Sequence, residues 1–542
     1  MSKNPQVSLQ RPYEGDGAAS VLSPEAASIP CASLGHAGLL SGLNRILHTS
    51  YTLGTLGAST LLEDCISSRY DFGTAYAHLR PFWARLHWLA GDLVSLRNMF
   101  AEYEKNDQED REAAQVKGTI VKPYKVPPRR VWDLKAHRVV PGWRTFHPYP
   151  RYWPVSHSWA DVMTVIDTPV NQYEWPVPIP AGVTLEMVRN ELLNLGAEYA
   201  WLDILCLRQR SPDPEKEKIR LREWEIDVPT IGNAYQFSDT ERTVQYCNGL
   251  GRPFETVGWD GPRHWLNRAW TLQEINSQAI IGGVTEEIPV PMDAVRTDGD
   301  CTTTLRTAME PLTAILVSDK SIVLFHILEE MKRRFSSGDI DKIAGLGYLL
   351  RSPTLPAYYE SQSVEEAWYL LVDNMQAYLR GSLLFLFPTP GVGQRLWTPS
   401  WKQIEETNLL RLVESFLGNE PVYIRGDINA PFALHRGYRI NKCSIRGLAV
   451  VPSEGDEPRR GKLEIKLSNG EVCTLNVKAR HQHIIPDGSY TLAGSKNLMH
   501  WVVCRERQPW SKLTKVSVIS AGQDFGELEQ LRAVAEVGNT FL

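Results

Sequence analysis

The segment Trp201-Leu202-Asp203-Ile204-Leu205-Cys206-Leu207 decides the fold class of this chain. It is a nearly continuous apolar run of strand length, and it follows a helical pattern that ends at Gly196. Runs of this kind are typical of a strand that is buried on both faces in the middle of a parallel sheet. Asp203 is the exception within the run, because a buried ionised carboxylate needs a partner or a wet pocket to offset its desolvation.

The segments before and after this strand predict an α/β domain over residues 126–295. Val155-Ser156-His157-Ser158-Trp159 has the pattern of a short buried strand, and residues 185–195 have that of an amphipathic helix with Thr184 as its N-cap. Strand, helix and strand in this order predict a parallel crossover. Asn267 is a plausible cap for a further short helix that continues to Ile275.

The remainder of the chain divides by composition and periodicity into four regions. Residues 1–30 are rich in Pro, Gly, Ser and Ala and predict a disordered lead-in, and residues 31–125 have helical spacing. Helical spacing returns over residues 296–410. Residues 411–542 alternate apolar and polar positions between turns such as Asn469-Gly470, which predicts an antiparallel β module.

Composition excludes several classes of protein. The 542 residues carry a net charge of −5, so no basic field favours nucleic acid or an anionic membrane. The eight cysteines never reach C-x-x-C spacing, which argues against a zinc site and against a disulfide scaffold. No window approaches the roughly 18 unbroken apolar residues of a membrane helix. We therefore expect a cytoplasmic protein with no bound metal, no nucleic-acid partner and no membrane span.

The sequence also lacks several common catalytic motifs, which excludes further classes of functional site. The sequence contains no G-x-x-x-x-G-K-[ST] phosphate loop and no complete G-x-G-x-x-G dinucleotide motif. It also lacks the G-x-S-x-G nucleophile elbow and the H-E-x-x-H zinc motif. A functional site must therefore be sought in less common constellations.

The first constellation is Ser156-His157-Ser158-Trp159 at the end of a predicted buried strand. Ligand sites of open α/β sheets usually form at such strand ends. The alternative is that Ser156 and His157 only satisfy backbone groups while Trp159 belongs to the core.

Two more constellations involve carboxylates. Asp203 is expected to be either a cleft residue or a structural residue, in an ion pair or a helix-capping contact, and Arg268 is a candidate partner. Trp270 and Glu274 are four residues apart and would share one face of an α-helix, so an anchored indole would hold the carboxylate beside a cleft. The alternative for Glu274 is a solvated position on an amphipathic helix.

Together these segments resemble a known family. Residues 155–159, 195–209 and 267–274 look like the three signature blocks of the fungal heterokaryon incompatibility (HET) domain, in the same order and with similar spacing. Residues 130–134, 227–232 and 249–254 resemble the version found in mushroom-forming fungi. Weaker likenesses, to pieces that commonly follow the domain, extend to residue 401.

The resemblance implies a role in allorecognition and in programmed cell death after fusion of unlike hyphae. It also implies a TIR-like domain, with a flavodoxin-like parallel sheet. TIR domains either assemble as signalling scaffolds or cleave NAD⁺, and in the cleaving ones the carboxylate lies in a W-x-x-x-E motif, which Trp270 and Glu274 match in spacing. The first block differs, because it has Ser-His-Ser-Trp where many HET domains have Ser-Tyr-x-Trp-Gly.

Three hypotheses of function remain open at this stage. The first is a cell-death signalling module that associates with itself or with a protein partner through the HET domain. The second is an NAD⁺ glycohydrolase that needs no cofactor, with Glu274 as the catalytic carboxylate and NAD⁺ as substrate. Its dinucleotide-binding residues would be Ser156, His157, Trp159, Asp203, Arg268 and Trp270. The third is a regulatory relative without toxicity.

Overall fold

The computed structural model forms two compact units, Met1–Thr313 with Ala357–Tyr359, and Ala314–Pro356 with Glu360–Leu542. The described residues are 12–14, 20–83, 93–144, 152–160, 162–236, 243–255, 261–275, 279–283, 321–393, 395–414, 425–426, 433–450, 458–495, 498–507, 512–521 and 525–542. The predicted domain boundary at residues 295–296 lies outside them.

The α-helices of the described residues are α1 Pro24–Ala27, α2 Cys31–Leu47, α3 Ala58–Ser67, α4 Phe72–Trp83, α5 Leu93–Ala114, α6 Leu185–Asn194, α7 Asp203–Cys206, α8 Pro214–Asp227, α9 Gly232–Gln236, α10 Ser321–Arg333, α11 Asp339–Leu349, α12 Val364–Asn374, α13 Ala377–Leu386, α14 Trp401–Glu406, α15 Leu409–Glu414 and α16 Phe525–Val534. Short 3₁₀ helices span Pro123–Lys125, Gly142–Arg144, Pro169–Asn171, Trp265–Asn267 and Trp270–Glu274.

The strands are β1 Gln115–Val116, β2 Thr119–Val121, β3 Arg130–Asp133, β4 Arg138–Pro141, β5 Tyr152–His157, β6 Met163–Ile166, β7 Val177–Pro180, β8 Tyr199–Leu202, β9 Val244–Tyr246, β10 Ile280–Ile281, β11 Thr354–Pro356, β12 Arg425–Gly426, β13 Ala433–Arg446, β14 Arg459–Lys466, β15 Val472–Ala479, β16 Gly488–Gly494, β17 His500–Arg507, β18 Lys512–Ala521 and β19 Glu536–Phe541. The mixed α/β class expected from the sequence is confirmed.

A six-stranded sheet in the order β10-β9-β5-β8-β3-β4 forms the centre of the first unit. β10, β9, β5 and β8 run parallel, whereas β3 is antiparallel to both β8 and β4. The sheet is therefore mixed, and the expected parallel arrangement holds for four of its six strands. Because those four strands are parallel, their carboxyl ends lie at one edge of the sheet.

The segment that predicted the fold class is only partly a strand. β8 ends at Leu202, and Asp203 begins the helical turn α7. The prediction that Asp203 lies inside a strand is therefore wrong. The Ile204 amide donates to Asp203 Oδ1 at 2.7 Å, and a carboxylate is favourable at a helix N-terminus. Ile204, Leu205 and Cys206 are buried in this turn as completely as they would be in a strand.

Of two helices that the sequence predicts in the α/β domain, one is confirmed and the other is not. The helix after Thr184 is confirmed: α6 spans Leu185–Asn194, and Thr184 Oγ1 accepts from the Met187 amide at 3.2 Å. The single helix predicted from Asn267 to Ile275 is wrong, because one 3₁₀ turn ends at Asn267 and a separate one spans Trp270–Glu274. The Thr271 hydroxyl bonds the carbonyls of Trp265 and Arg268, and such side-chain bonds compete with regular helix formation.

The N-terminal helices pack on the central sheet within the same unit. Arg80 of α4 forms an ion pair with Asp133 of β3 at 2.8 Å. Arg138 of β4 forms another with Asp71 at 2.7 Å. Part of the lead-in predicted as disordered is structured, because residues 24–27 form α1 and Ala27 is fully buried.

The second unit contains helices α10–α15 and an antiparallel barrel. The barrel strands follow the order β13-β14-β15-β18-β17-β16, and β16 pairs again with β13 to close the ring. The antiparallel β module predicted near the end of the sequence is confirmed. Across the described residues of both units, no helix combines the length and apolarity needed to cross a membrane.

We predict that Thr184→Ala lowers the free energy of unfolding by about 0.5–2 kcal/mol, because the Met187 amide loses its capping oxygen. Chemical denaturation followed by circular dichroism measures this change. Thr184→Ser keeps the hydroxyl and serves as the matched control. Equal stability of the alanine and serine variants would contradict the capping role.

Candidate functional site

The carboxyl ends of β5, β8 and β9 bring together residues that are distant in sequence. β5 lies between β8 and β9 in the sheet. The chain passes from β5 to β8 on one side and later to β9 on the other side. In open α/β sheets such a reversal of strand order creates a crevice beyond the strand ends, where ligands bind. Five of the seven predicted site residues, Ser156, His157, Asp203, Arg268 and Glu274, interact at this edge through hydrogen bonds or through their charges.

Ser156 and Glu274 form the most buried part of this site. The Ser156 hydroxyl donates to Glu274 Oε2 at 2.5 Å, and it accepts from Trp265 Nε1 at 2.6 Å. Ser156 is fully buried and Glu274 is 8% exposed. The alternative of a solvated glutamate is therefore wrong, and so is the alternative that Ser156 only satisfies backbone groups.

Burial determines the protonation of Glu274. Desolvation raises the pKa of its carboxyl to about 7, against the opposing effect of the Ser156 hydrogen bond, and the negative charge of Asp203 raises it further. Tyr235 of α9 lies beside this pair. Burial and the Glu274 charge together raise the pKa of the Tyr235 hydroxyl well above its usual range. At neutral pH, Glu274 is thus poised between its neutral and ionised forms.

His157 and Asp203 form a second pair at the same edge. His157 Nε2 lies 2.8 Å from Asp203 Oδ1, and Nδ1 lies 3.1 Å from the Ser158 carbonyl. Both ring nitrogens therefore face acceptors, which favours the doubly protonated imidazolium. Burial alone would lower the pKa of His157, but the Asp203 carboxylate outweighs it and the pKa is raised. The Asp203 pKa is lowered despite desolvation, chiefly because of His157.

The partner predicted for Asp203 was Arg268, and the structure gives the direct contact to His157 instead. Arg268 acts at longer range, because its positive charge lowers the pKa of both Asp203 and Glu274. Its guanidinium carbon lies 5.8 Å from the centre of the Trp159 ring. Trp159 in turn stacks on His157 at 6.4 Å, and it is half-buried, in contrast to the core position considered for it.

Trp270 is the predicted site residue that the structure does not join to the others. It begins the 3₁₀ turn that ends at Glu274, and it is half-buried. Residues four apart in a 3₁₀ helix point about 120° away from each other. The expectation that Trp270 and Glu274 share one helix face is therefore wrong.

Sequence reasoning missed Trp265 and Tyr235. A buried tryptophan usually directs its N–H to a partner, and Trp265 lies two residues before the block 267–274, so the sequence contained a usable signal there. Tyr235 follows a different block, and its sequence neighbourhood carries no comparable signal. Among the described residues, no group of three or more His, Cys, Asp or Glu side chains could hold a metal ion.

The arrangement is suited to chemistry at an electron-poor centre. Two carboxyls lie in one site, and their environments move their pKa values in opposite directions, lower for Asp203 and higher for Glu274. Divergent pKa values of paired groups are typical of acid–base and charge-stabilising sites. The side chain of Asp203 is 33% exposed, so the crevice is open to a ligand at that point.

Comparison of the chain with protein-family models, with curated proteins and with solved structures found no match.

We predict that wild-type protein loses stability relative to Glu274→Gln as the pH rises from about 5 to about 8. The folded-state pKa of Glu274 is about 7 and exceeds the usual glutamate pKa of 4.5, so ionisation is easier in the unfolded chain. The full shift corresponds to roughly 3 kcal/mol. Unfolding free energies measured across this pH range test the effect.

The exposed residue Glu215 on α8 provides the control for this experiment. Glu215→Gln makes the same chemical change and should leave the pH dependence of wild-type stability intact. Parallel pH curves for wild type and Glu274→Gln would show that the Glu274 pKa is not raised.

Proposed function

We propose that the α/β domain is a heterokaryon-incompatibility-type cell-death module and that it acts by hydrolysing NAD⁺. The observation that carries the proposal is the buried Glu274 carboxyl, with a pKa of about 7, beside the ionised Asp203 at the carboxyl edge of the sheet. The HET resemblance, which is specific over about residues 129–290, supplies the biological context of allorecognition.

The order of the parallel strands supports a TIR-like, flavodoxin-like core. Numbered along the chain, β5, β8, β9 and β10 are the first to the fourth parallel strands, and their spatial order is second, first, third, fourth. This is the beginning of the flavodoxin-like order, in which the ligand binds between the first and third strands. Here those strands are β5 and β9. Ser156 is the penultimate residue of β5, and Glu274 follows β9 in sequence.

The proposed reaction consumes NAD⁺ and water and yields nicotinamide, ADP-ribose and a proton. As the bond between nicotinamide and ribose breaks, its electron pair leaves with nicotinamide and positive charge develops on the sugar. The ionised Glu274 stabilises this charge, and its low-dielectric surroundings make the attraction stronger than in water. His157 and Asp203, with Arg268 and Trp159 above them, shape the crevice.

A non-catalytic signalling module is the second candidate, and one observation favours it. Glu274 is 8% exposed and already accepts a hydrogen bond from Ser156, which itself accepts from Trp265. Such a closed chain of hydrogen bonds also serves to lock a turn onto a sheet. In this function the domain triggers death by associating with itself or with a protein partner.

We predict that the full-length chain releases nicotinamide from NAD⁺ and that Glu274→Gln lowers the rate about 10²–10⁴-fold. Because the ionised form is the active one, the wild-type rate should rise as the pH increases through about 7. Chromatographic measurement of nicotinamide and ADP-ribose gives both results. Concentrating the protein on a crowding scaffold covers the case of activity that requires assembly.

Glu191→Gln is the matched control for this variant. Glu191 on α6 is also buried, with a pKa raised by burial to about 7, but it bonds Tyr246 and Gly283 outside the proposed site. Its variant should keep the wild-type rate. If expression kills fungal cells without loss of NAD⁺, the signalling module is the correct function. If Asp203→Asn abolishes hydrolysis while Glu274→Gln does not, the two carboxylates have been assigned the wrong roles.

A further inference from the structure

The first unit contains a cavity of about 740 Å³ with charged walls. One wall is a face of α8 formed by Ile219, Arg222, Glu223 and Ile226, which recur at helical spacing. The opposite wall is a largely acidic face of α5. The cavity is an open groove, because lining residues such as Glu104, Ile219 and Arg222 are exposed. An open cleft in which charged groups and an aromatic ring converge is a candidate ligand site.

Trp175 forms the floor of the cavity between two arginines. The guanidinium carbons of Arg130 and Arg208 lie 5.2 Å and 5.1 Å from its ring centre. Both arginines also bond Glu223, at 2.6 Å from Arg130 Nη2 and 3.3 Å from Arg208 Nε. These stacked and paired groups have little freedom, and the floor is therefore preorganised.

The cavity continues the edge of the sheet that carries the candidate site. Trp175 Nε1 donates to the Ile204 carbonyl at 3.2 Å, and the Ile204 amide donates to Asp203. The register of β3 and β8 pairs Trp132 with Ala200, so its continuation sets Arg130 opposite Leu202, just before Asp203. None of the predicted site residues lines the cavity. Arg130, which does line it, is about one strand spacing of 5 Å from the Leu202 backbone.

The charges of the lining decide which ligand fits. Guanidinium and carboxylate groups are equal in number among the lining residues: Arg111, Arg129, Arg130, Arg208 and Arg222 against Glu104, Asp107, Glu112, Glu174 and Glu223. An anion can therefore bind only where guanidinium donors are uncommitted or weakly held.

Two arginines meet this condition. Arg222 is exposed and makes no ion pair within the part of the chain that the structure describes. Arg208 Nη1 pairs with Glu174 at 2.9 Å, but the Glu174 side chain is 47% exposed. The Arg208 side chain is 13% exposed and stays in place, whereas the partly solvated Glu174 carboxylate can be replaced by a phosphate. Guanidinium groups bind phosphate oxygens in a bidentate manner.

We propose that this cavity binds the adenosine diphosphate half of the NAD⁺ substrate, with the phosphates on Arg208 and Arg222. Trp143, which also lines the cavity and is half-buried, provides the aromatic surface for the adenine ring. The nicotinamide ribose then extends past Trp175 to Asp203 and Glu274. This inference rests on the proposed function, because it assigns the second half of the same substrate.

The test is calorimetric titration of the full chain with ADP-ribose, which contains the adenosine diphosphate half but no nicotinamide. Arg222→Gln and Arg208→Gln should each weaken binding about 10- to 100-fold, the usual range for loss of a charge-assisted hydrogen bond. Arg222 is exposed, so its variant is expected to fold even if Arg208→Gln does not. Lys218→Gln removes the same charge from an exposed position of α8 outside the cavity and should bind as wild type does.

The outcomes separate the two proposals. If NAD⁺ is hydrolysed and Arg222→Gln changes neither the KM nor the affinity for ADP-ribose, the cavity assignment is overturned while the proposed function stands. If ADP-ribose binds in an Arg222-dependent manner and no nicotinamide is released, the cavity assignment stands and hydrolysis is overturned. Equal affinity for inorganic pyrophosphate and ADP-ribose would overturn the adenine contact with Trp143.

Discussion

The hydrogen bond from Ser156 to Glu274 is the interaction on which the rest of the sheet edge depends. It joins the carboxyl end of β5 to a 3₁₀ helix that follows β9, across 118 residues of sequence. Trp265 completes the connection from the same loop. An unpaired buried donor or acceptor would cost about 1–3 kcal/mol, so all three groups must be present together for the loop to lie against the sheet. The position of the carboxyl is thus set by the fold rather than by the flexibility of its own side chain.

The second property of this edge is that two neighbouring carboxyls differ in charge. Asp203 is stabilised in its ionised form by His157, whereas burial favours the neutral form of Glu274. The two charge states are linked, because the negative charge of Asp203 raises the free-energy cost of ionising Glu274 beside it. A cation that approached the crevice would reverse this balance and draw Glu274 into its ionised form. The charge of the site therefore responds to the charge of its occupant.

The sequence contained enough local information for the class of the fold but not for the contacts of the site. Thr184 specified α6 through its cap, and alternating apolar residues specified the barrel. Asp203 was misplaced because a buried helical turn and a buried strand need the same apolar residues, and periodicity over four residues cannot separate them. Its partnership with His157 spans 46 residues and depends on the strand order, which no local pattern encodes. The charged faces of α5 and α8 have the pattern of solvated helix surfaces, and no local pattern shows that the two faces line one groove.

The pairing of β13 with β19 in the second unit affects the order in which the two units can fold. The first half of β13 pairs with β19, and the residues that meet are about 100 positions apart, as in Leu434 with Phe541. Pairings of such long range form slowly, and they cannot form during synthesis until the later strand has left the ribosome. The strands of the central sheet all precede residue 282. The unit that carries the candidate site can therefore assemble its sheet while the barrel is still incomplete, which exposes the nascent chain to a period in which one unit is folded and the other is not.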